Sequence, residues 1–179
     1  MDWGADFIQL RERDMTGREL FDLTREAVGL SRNTPCRILV NGRIDVALAA
    51  GAHGVHLPAA GILPADVRTH LPRGFLLGVS AHSLREARLA AEGGVDYLLV
   101  GPVFSTPSKM RYGKPMGLRS FARICSAIAA PVFGLGGIHV DEIPSVLGAG
   151  AVGIAGIRFF QEDLPYTLRD SLRAIPLGG

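Results

Sequence analysis

The side chains with the clearest chemistry follow the apolar run Tyr97–Val100. After Gly101-Pro102 the chain presents Thr106, Ser108 and Lys109 within a few positions. Two hydroxyls and an ammonium group can donate hydrogen bonds to a phosphate and neutralise its charge. Parallel α/β proteins bind ligands at the carboxyl ends of their strands. The segment therefore predicts an anion-binding site at the end of a buried strand.

A second candidate for anion binding is Gly136-Gly137, which follows the apolar residues Val132-Phe133. Adjacent glycines let backbone N–H groups approach an anion closely. An isolated Gly-Gly pair more often forms a tight turn with no ligand. The hydroxyls and the ammonium group on the preceding strand's loop favour phosphate binding here.

Gln9, Arg11 and Arg13 alternate along the chain, so they share one face of a strand and of the loop after it. On an outer face they would be ordinary solvated polar groups. On the inner rim of a barrel they would clamp a phosphate, because guanidinium groups match phosphate oxygens bidentately. Their place on the first strand of a series favours the clamp.

Among the five histidines, His82 has the position best suited to catalysis, because it follows Ser80 at the end of a predicted strand. His56 lies inside a strand and is predicted either to pack in the core or to reach the rim. No His, Asp or Cys group has the spacing of metal ligands. The spacing of the side chains therefore predicts no metal site.

Seven short apolar runs are predicted as the strands that position these groups. They are Phe7–Arg11, Arg37–Asn41, Gly54–Leu57, Leu76–Ser80, Tyr97–Val100, Val132–Leu135 and Val152–Gly156. Amphipathic segments lie between them. Thr16-x-x-Glu19 and Ser83-x-x-Glu86 predict helix starts with capping boxes, Asp141 predicts an N-cap, and residues 118–128 have helical spacing.

An open doubly wound sheet and a closed barrel both fit alternating strands and helices. Polar residues such as Asn41 follow nearly every strand, which favours the barrel, and no G-x-G-x-x-G follows the first strand. We predict one α/β domain over residues 1–179, a TIM (β/α)8 barrel that lacks its first βα unit. Either that unit is missing from the chain, or a partner chain covers the gap.

The composition favours a single α/β domain and argues against a membrane or nucleic-acid-binding protein. The chain has 179 residues, of which 47% are hydrophobic, which suits a single domain with much buried sheet. It has no apolar run of the roughly 20 residues that a membrane span needs, and no signal peptide pattern. Two cysteines, Cys36 and Cys125, and a net charge of +2 with scattered basic residues predict a cytoplasmic protein that binds neither nucleic acid nor membrane.

Six motifs in the same order resemble the thiamine phosphate synthase family and its relative TenI, the aminothiazole tautomerase. The resemblance runs from Phe7 to Phe160. The motifs are Gln9-Leu-Arg11-Glu-Arg13, Val40-Asn-Gly-Arg43, Gly54-Val-His-Leu57, Gly78-Val-Ser-Ala-His-Ser83, Asp96 to Phe104 with Thr106-x-Ser-Lys109, and Gly134-Leu-Gly-Gly-Ile138.

The resemblance implies a barrel that acts in thiamine biosynthesis. The synthase joins a pyrimidine pyrophosphate to a thiazole phosphate, with Mg²⁺-assisted loss of pyrophosphate. Residues implied to face the pyrophosphate, by position, are Gln9, Arg11, Arg13, Asn41 and Lys109. Ser80 is implied to face the pyrimidine. Residues implied to hold the thiazole phosphate are Thr106, Ser108, Gly137 and the backbone at Ala155-Gly156.

The chain also departs from the family at three places. Asn41-Gly42 stands where the family has Asn-Asp, and Pro58-Ala-Ala-Gly61 stands where it has Gly-Gln-Glu-Asp, so both aspartates that bind Mg²⁺ are absent. Mg²⁺ is therefore expected only if synthase activity survives their loss. The catalytic histidine of TenI falls at Pro102, which cannot transfer a proton, so His82 or Glu12 is the expected acid–base substitute.

We therefore expect a TenI-like protein or a diverged synthase that binds a thiazole phosphate-type ligand or thiamine phosphate. Two alternatives stay open: an active thiamine phosphate synthase, and a non-catalytic binding protein for the same ligands. A homo-oligomer is a further expectation, because an open barrel seam exposes unpaired strand edges.

Overall fold

Seven parallel strands form one sheet, and their order in the sheet is their order in the chain. The computed structural model describes residues 5–105 and 114–157. The strands are β1 (Phe7–Leu10), β2 (Arg37–Asn41), β3 (Gly54–Leu57), β4 (Leu76–Ala81), β5 (Tyr97–Val100), β6 (Val132–Leu135) and β7 (Gly153–Ala155). All seven predicted strands are present within these ranges, and the predicted bounds differ from the observed ones only at β1, β4 and β7.

Helices connect the strands. They are α1 (Gly17–Ser31), α2 (Ile44–Ala49), α3 (Pro64–Arg68), α4 (Leu84–Glu92), α5 (Gly117–Ala127) and α6 (Ile143–Gly148). A 3-10 turn over Val140–Glu142 precedes α6. Within the residues that the structure describes, none of these helices has the length and apolarity that crossing a bilayer requires.

The predicted helix cap is confirmed at α1, confirmed in part at α4, and wrong at α6. Thr16 and Glu19 form the complete predicted capping box. Ser83 caps α4 through the Glu86 N–H, but the Glu86 carboxylate accepts from the His82 N–H rather than closing a box with Ser83. The prediction that Asp141 is an N-cap was wrong, because residues 140–142 form the 3-10 turn and Glu142 precedes α6.

The two faces of the sheet have different surroundings. Valines, leucines and alanines on the outer face, such as Val55 and Leu98, are fully buried and join the hydrophobic core together with helix residues such as Phe121. On the other face, the strand register aligns Asn41, His56, Gly78 and Tyr97 in one row across β2 to β5. The inner face therefore carries polar side chains together with aromatic ones, and the outer face carries the core.

The sheet is curled into a barrel-like form rather than open. Phe7 belongs to β1, whose ladder partner is β2. Its ring nevertheless lies 5.7 Å from the Tyr97 ring of β5 and 5.9 Å from the Phe133 ring of β6, measured between centroids. These contacts cross the interior, so the predicted α/β barrel fold is confirmed and the open doubly wound sheet is excluded. No pairing of β7 with β1 occurs among the described residues.

Candidate active site at the carboxyl ends of the strands

Gln9 and Asn41 form the first part of the site. Gln9 Nε2 donates a 2.8 Å hydrogen bond to Asn41 Oδ1, and both residues are half-buried. This bond leaves Gln9 Oε1 and the Asn41 NH₂ group to contact a ligand. Arg11 and Arg13 follow β1 and are exposed, and neither forms an ion pair within residues 5–105 and 114–157. The structure thus joins two of the predicted pyrophosphate-binding residues directly and leaves both guanidinium groups available.

Next to this pair lies a buried chain of three hydrogen-bonded side chains. His56 is 1% exposed. Its Nε2 lies 2.8 Å from Ser80 Oγ, and its Nδ1 lies 3.0 Å from the Tyr97 hydroxyl oxygen. Ser80, the residue predicted to face the pyrimidine, is half-buried and ends the chain on the interior side.

Burial keeps the members of this chain uncharged. Removal from water, together with the charge of Arg11, lowers the pKa of His56 to about 4. Burial also raises the pKa of Tyr97 well above its ordinary value. At neutral pH the imidazole and the phenol are therefore both neutral, and each hydrogen bond has one defined donor and one acceptor.

Gly78 makes room for this arrangement. A Cβ atom at Gly78 would overlap the ring and the hydroxyl of Tyr97. The ring stacks on Phe7 at an interplanar angle of 11° and meets Phe133 edge-on at 90°. The orientation of the phenol is therefore fixed on several sides, with its hydroxyl directed at His56.

His56 and Tyr97 were not among the candidate site residues, since a histidine inside an apolar strand is usually a packed core residue. The signal that could have found them is the alternation within β3 and β5. It puts both residues on the polar inner face, in register with Gly78. Recognising it required the alignment of strands that are far apart in the chain.

His82, the predicted catalytic residue, lies just beyond the end of β4. Its Nδ1 is hydrogen-bonded to the Gly101 carbonyl oxygen, so Nδ1 carries a proton and Nε2 does not take part in this bond. The ring borders a small cleft of about 150 Å³ that Met116, Ser120 and Arg123 also line. The cleft lies between α4 and α5, and none of the other predicted site residues in the described ranges lines it.

The segments after β5 and β6 lie against each other. The Val103 N–H donates to the Leu135 carbonyl and the Phe104 N–H donates to the Gly136 carbonyl, both at 3.0 Å. Gly137 has a φ of +68°, and a Cβ atom there would come within 2.5 Å of the Ser105 carbonyl oxygen. Only glycine fits this position, because both the backbone conformation and the neighbouring loop exclude a side chain.

The structure brings most of the predicted thiazole phosphate site together on this side. Within the described ranges, no hydrogen bond is formed by the N–H groups of Gly136 and Gly137. Ala155 lies beside Leu135 in the β6–β7 register, and Gly156 follows it. The other predicted residues of this site, Thr106 and Ser108, lie outside the described residues, and so does Lys109, which is predicted to face the pyrophosphate.

The residues at the implied Mg²⁺ positions do not fit that ion. Gly42 and the segment 58–61 supply no carboxylate. The Gly42 N–H donates to the His56 carbonyl at 2.8 Å, so the turn is held by its own backbone. Nearby, Asp45 is bonded to the guanidinium group of Arg43 at 2.7 and 2.9 Å. Mg²⁺ prefers carboxylate oxygens, and the residues at these two positions supply none.

Comparison with known proteins gives consistent similarities. Residues 1–160 match the family model described as thiamine monophosphate synthase (TMP-TENI). A putative thiamine-phosphate synthase of Geobacter sulfurreducens is 45% identical over 152 residues, covering 85% of this chain and 71% of the relative. The putative thiamine-phosphate synthase 2 of Aquifex aeolicus is 39% identical over 159 residues, covering 89% and 84%.

A solved structure shows the same architecture. Thiamine phosphate pyrophosphorylase from Pyrococcus furiosus superposes with a TM-score of 0.80 at 32% sequence identity. The match covers 93% of this chain and 79% of that chain.

Proposed function

The chain belongs to the thiamine monophosphate synthase family of thiamine biosynthesis, and from that premise we propose that it binds a thiazole phosphate-type ligand and acts on it as a diverged, TenI-like member. The observation that carries the proposal is the wall formed by the segments after β5 and β6. Two adjacent glycines there have positive φ, and among the described residues their N–H groups form no hydrogen bond. Such groups suit a phosphate oxygen.

His82 is the proposed acid–base residue. Its Nδ1–H is held by the Gly101 carbonyl, which leaves Nε2 to accept a proton from a ligand. Gly101 begins the segment after β5, which is hydrogen-bonded to the segment after β6 that carries the two glycines. Proton transfer and phosphate binding would therefore be positioned by two adjoining segments.

A second candidate function is the complete synthase reaction, in which a pyrimidine is joined to the thiazole and pyrophosphate leaves. The Gln9–Asn41 pair and Ser80 favour it, because they provide further polar groups at the ends of β1, β2 and β4. Arg11 and Arg13 supply cationic charge beside them. Because no carboxylate stands at the implied Mg²⁺ positions, the arginines would carry a larger share of the charge stabilisation.

Calorimetry and turnover assays test these proposals. We expect thiazole phosphate to bind in the micromolar to millimolar range, and His82→Gln to keep this binding while slowing any turnover by roughly 100-fold. No binding at millimolar ligand would reject the shared proposal. Binding with no turnover of thiazole substrates, with or without pyrimidine pyrophosphate and Mg²⁺, would identify a non-catalytic binding protein instead. Turnover that is unaffected in His82→Gln would remove His82 from catalysis.

A further inference from the structure

The hydrogen-bonded side chains Tyr97, His56 and Ser80, here called the interior relay, can be read as a set of donors and acceptors. A neutral imidazole has one N–H and one lone-pair nitrogen. If Nδ1 accepts from the Tyr97 hydroxyl, then Nε2–H donates to Ser80 Oγ. If Nδ1 carries the proton instead, both hydrogen bonds reverse: Nδ1–H donates to the Tyr97 oxygen, and the Ser80 hydroxyl donates to Nε2.

Burial decides between these two tautomers. Tyr97 is 4% exposed, and His56 Nδ1 is the partner of its hydroxyl among the described residues. In the reversed arrangement the phenolic proton would have no acceptor among the described residues, and an unpaired buried donor is costly. The tautomer in which Tyr97 donates to Nδ1 satisfies the phenolic proton and both ring nitrogens of His56.

This tautomer gives Ser80 a defined role. Its oxygen accepts from His56 Nε2–H, so its own proton is free to point into the barrel interior. A serine hydroxyl is ordinarily able to donate or accept. Here one of its lone pairs is occupied, and the group facing a ligand is an O–H donor.

We propose that Tyr97 fixes the tautomer of His56, and that His56 thereby sets Ser80 as a hydrogen-bond donor for a ligand ring nitrogen that carries a lone pair. The inference rests on the second candidate function in one respect: the ligand is a pyrimidine, whose ring nitrogens accept hydrogen bonds and do not donate them. Tyr97 does not touch the ligand and is a positioning residue. A ring that presents an N–H at this point would be discriminated against.

The rigidity of the phenol supports this role. The Tyr97 ring lies across Gly78 and is held by Phe7 and Phe133. The hydroxyl oxygen therefore cannot move toward another partner without displacing these neighbours. Tyr97→Phe preserves these ring contacts and removes only the hydroxyl, which makes it a clean test.

The first experiment measures the tautomer in the chain without ligand. Long-range ¹⁵N–¹H spectra of histidine-labelled protein should show His56 with Nε2 protonated and Nδ1 unprotonated. In Tyr97→Phe this pure state should give way to a mixture or to the Nδ1–H form, while the other four histidines stay unchanged. An Nδ1–H form in the wild type, or an identical His56 spectrum in Tyr97→Phe, would overturn the proposal.

The second experiment measures the effect on ligand recognition by calorimetry. The probes are pyrimidine pyrophosphate and analogues in which one ring nitrogen is replaced by C–H. The wild type should bind one such analogue about tenfold more weakly than the parent, as expected for the loss of one hydrogen bond. Tyr97→Phe should reduce this preference several-fold, and Ser80→Ala should abolish it.

Thr24→Val is the matched control. Thr24 is fully buried in α1, and its hydroxyl donates to the Leu20 carbonyl at 2.6 Å. This variant also removes one buried hydroxyl bond, but it should leave the preference at its wild-type value. An equal loss of preference in Thr24→Val would show that general destabilisation, rather than the relay, is responsible, and would overturn the proposal.

The two experiments separate the inference from the proposed function. Failure of the wild type to bind thiazole phosphate would reject the proposed function and leave the tautomer result intact. Failure to bind any pyrimidine probe would reject the assignment of Ser80's ligand. Binding with no preference among the probes would overturn the donor role of Ser80 while the family's substrates still bind.

Discussion

A single buried histidine links the electrostatics of the interior to the stability of the fold. Among the described residues, the hydrogen-bond partners of the His56 ring are a serine and a tyrosine hydroxyl, and neither is charged. Protonation would place a charge among groups already arranged for the neutral ring, and beside the positive charge of Arg11. The folded chain therefore resists protonation of His56 much more than the unfolded chain does.

The stability of the fold should consequently fall as the pH is lowered. Burial depresses the pKa of His56 from 6.5 to about 4, so between these values the unfolded state binds a proton that the folded state does not. Its contribution is complete above pH 6.5 and is lost toward pH 4. Urea unfolding at pH 7 and pH 5 should show a loss of about 1–2 kcal/mol from this group.

His56→Gln provides the comparison for this prediction. The variant should show a smaller loss of unfolding free energy between pH 7 and pH 5. His53, whose pKa is also lowered by partial burial, contributes in both chains, so its effect cancels. Equal losses in the two chains would contradict a depressed pKa at His56.

At the scale of elements, the strands were predictable and the contacts between their loops were not. Runs such as Tyr97–Val100 are short, apolar and bounded by glycine or proline, so periodicity and turn residues identify them. The capping box at Thr16 is equally local. The relay depends on register across β3, β4 and β5, and the packing of Gly137 on Ser105 depends on a neighbouring strand, so neither follows from local pattern.

Gly137→Ala should weaken phosphate binding through this packing. The new Cβ atom would meet the carbonyl of Ser105 and the backbone of Phe104, at 2.5 and 2.6 Å, and one loop would have to move. We expect the affinity for thiazole phosphate to fall roughly tenfold, as for one lost N–H···O contact, measured by calorimetry.

Gly51→Ala is the control that distinguishes the effect of packing at Gly137 from the effect of backbone strain. Gly51 also has a positive φ, +73°, but nothing lies within 4 Å of a Cβ atom there. Both variants should lose stability, because the left-handed conformation disfavours alanine. A similar loss of affinity in Gly51→Ala would contradict the proposed contact of the Gly137 N–H with the phosphate.

At the scale of the whole molecule, aromatic contacts across the interior hold the curl of the sheet. Strand β1 is hydrogen-bonded to β2, yet Phe7 reaches the rings of β5 and β6. Among the described residues no ladder joins β1 to β7, so backbone pairing does not close the circle. The packing of Phe7 on Tyr97 and Phe133 therefore helps to keep the sheet curled.

Removal of this packing should loosen the sheet. Phe7→Ala is expected to lower the free energy of unfolding by about 2 kcal/mol, less than for a fully buried ring because Phe7 is 36% exposed. The near-ultraviolet circular dichroism of the tyrosines should weaken as well, since Tyr97 loses its stacking partner.

Met15→Ala is the control for Phe7→Ala. Met15 is 40% exposed, a similar fraction, but it lies in the loop before α1. Its truncation should change stability by less than about 1 kcal/mol and leave the tyrosine signal intact. An equal effect of both truncations would argue against a special role of Phe7 in holding the curl.

The fit of Tyr97 over Gly78 also constrains how this chain can evolve. An alanine at position 78 requires a smaller residue at position 97, and a smaller residue there removes the phenol. Substitutions at the two positions can therefore occur in one order only: Tyr97 must be replaced before Gly78 can be. A lineage that keeps Gly78 can regain a tyrosine at position 97. A lineage with alanine at position 78 cannot, because the methyl group occupies the space of the tyrosine ring.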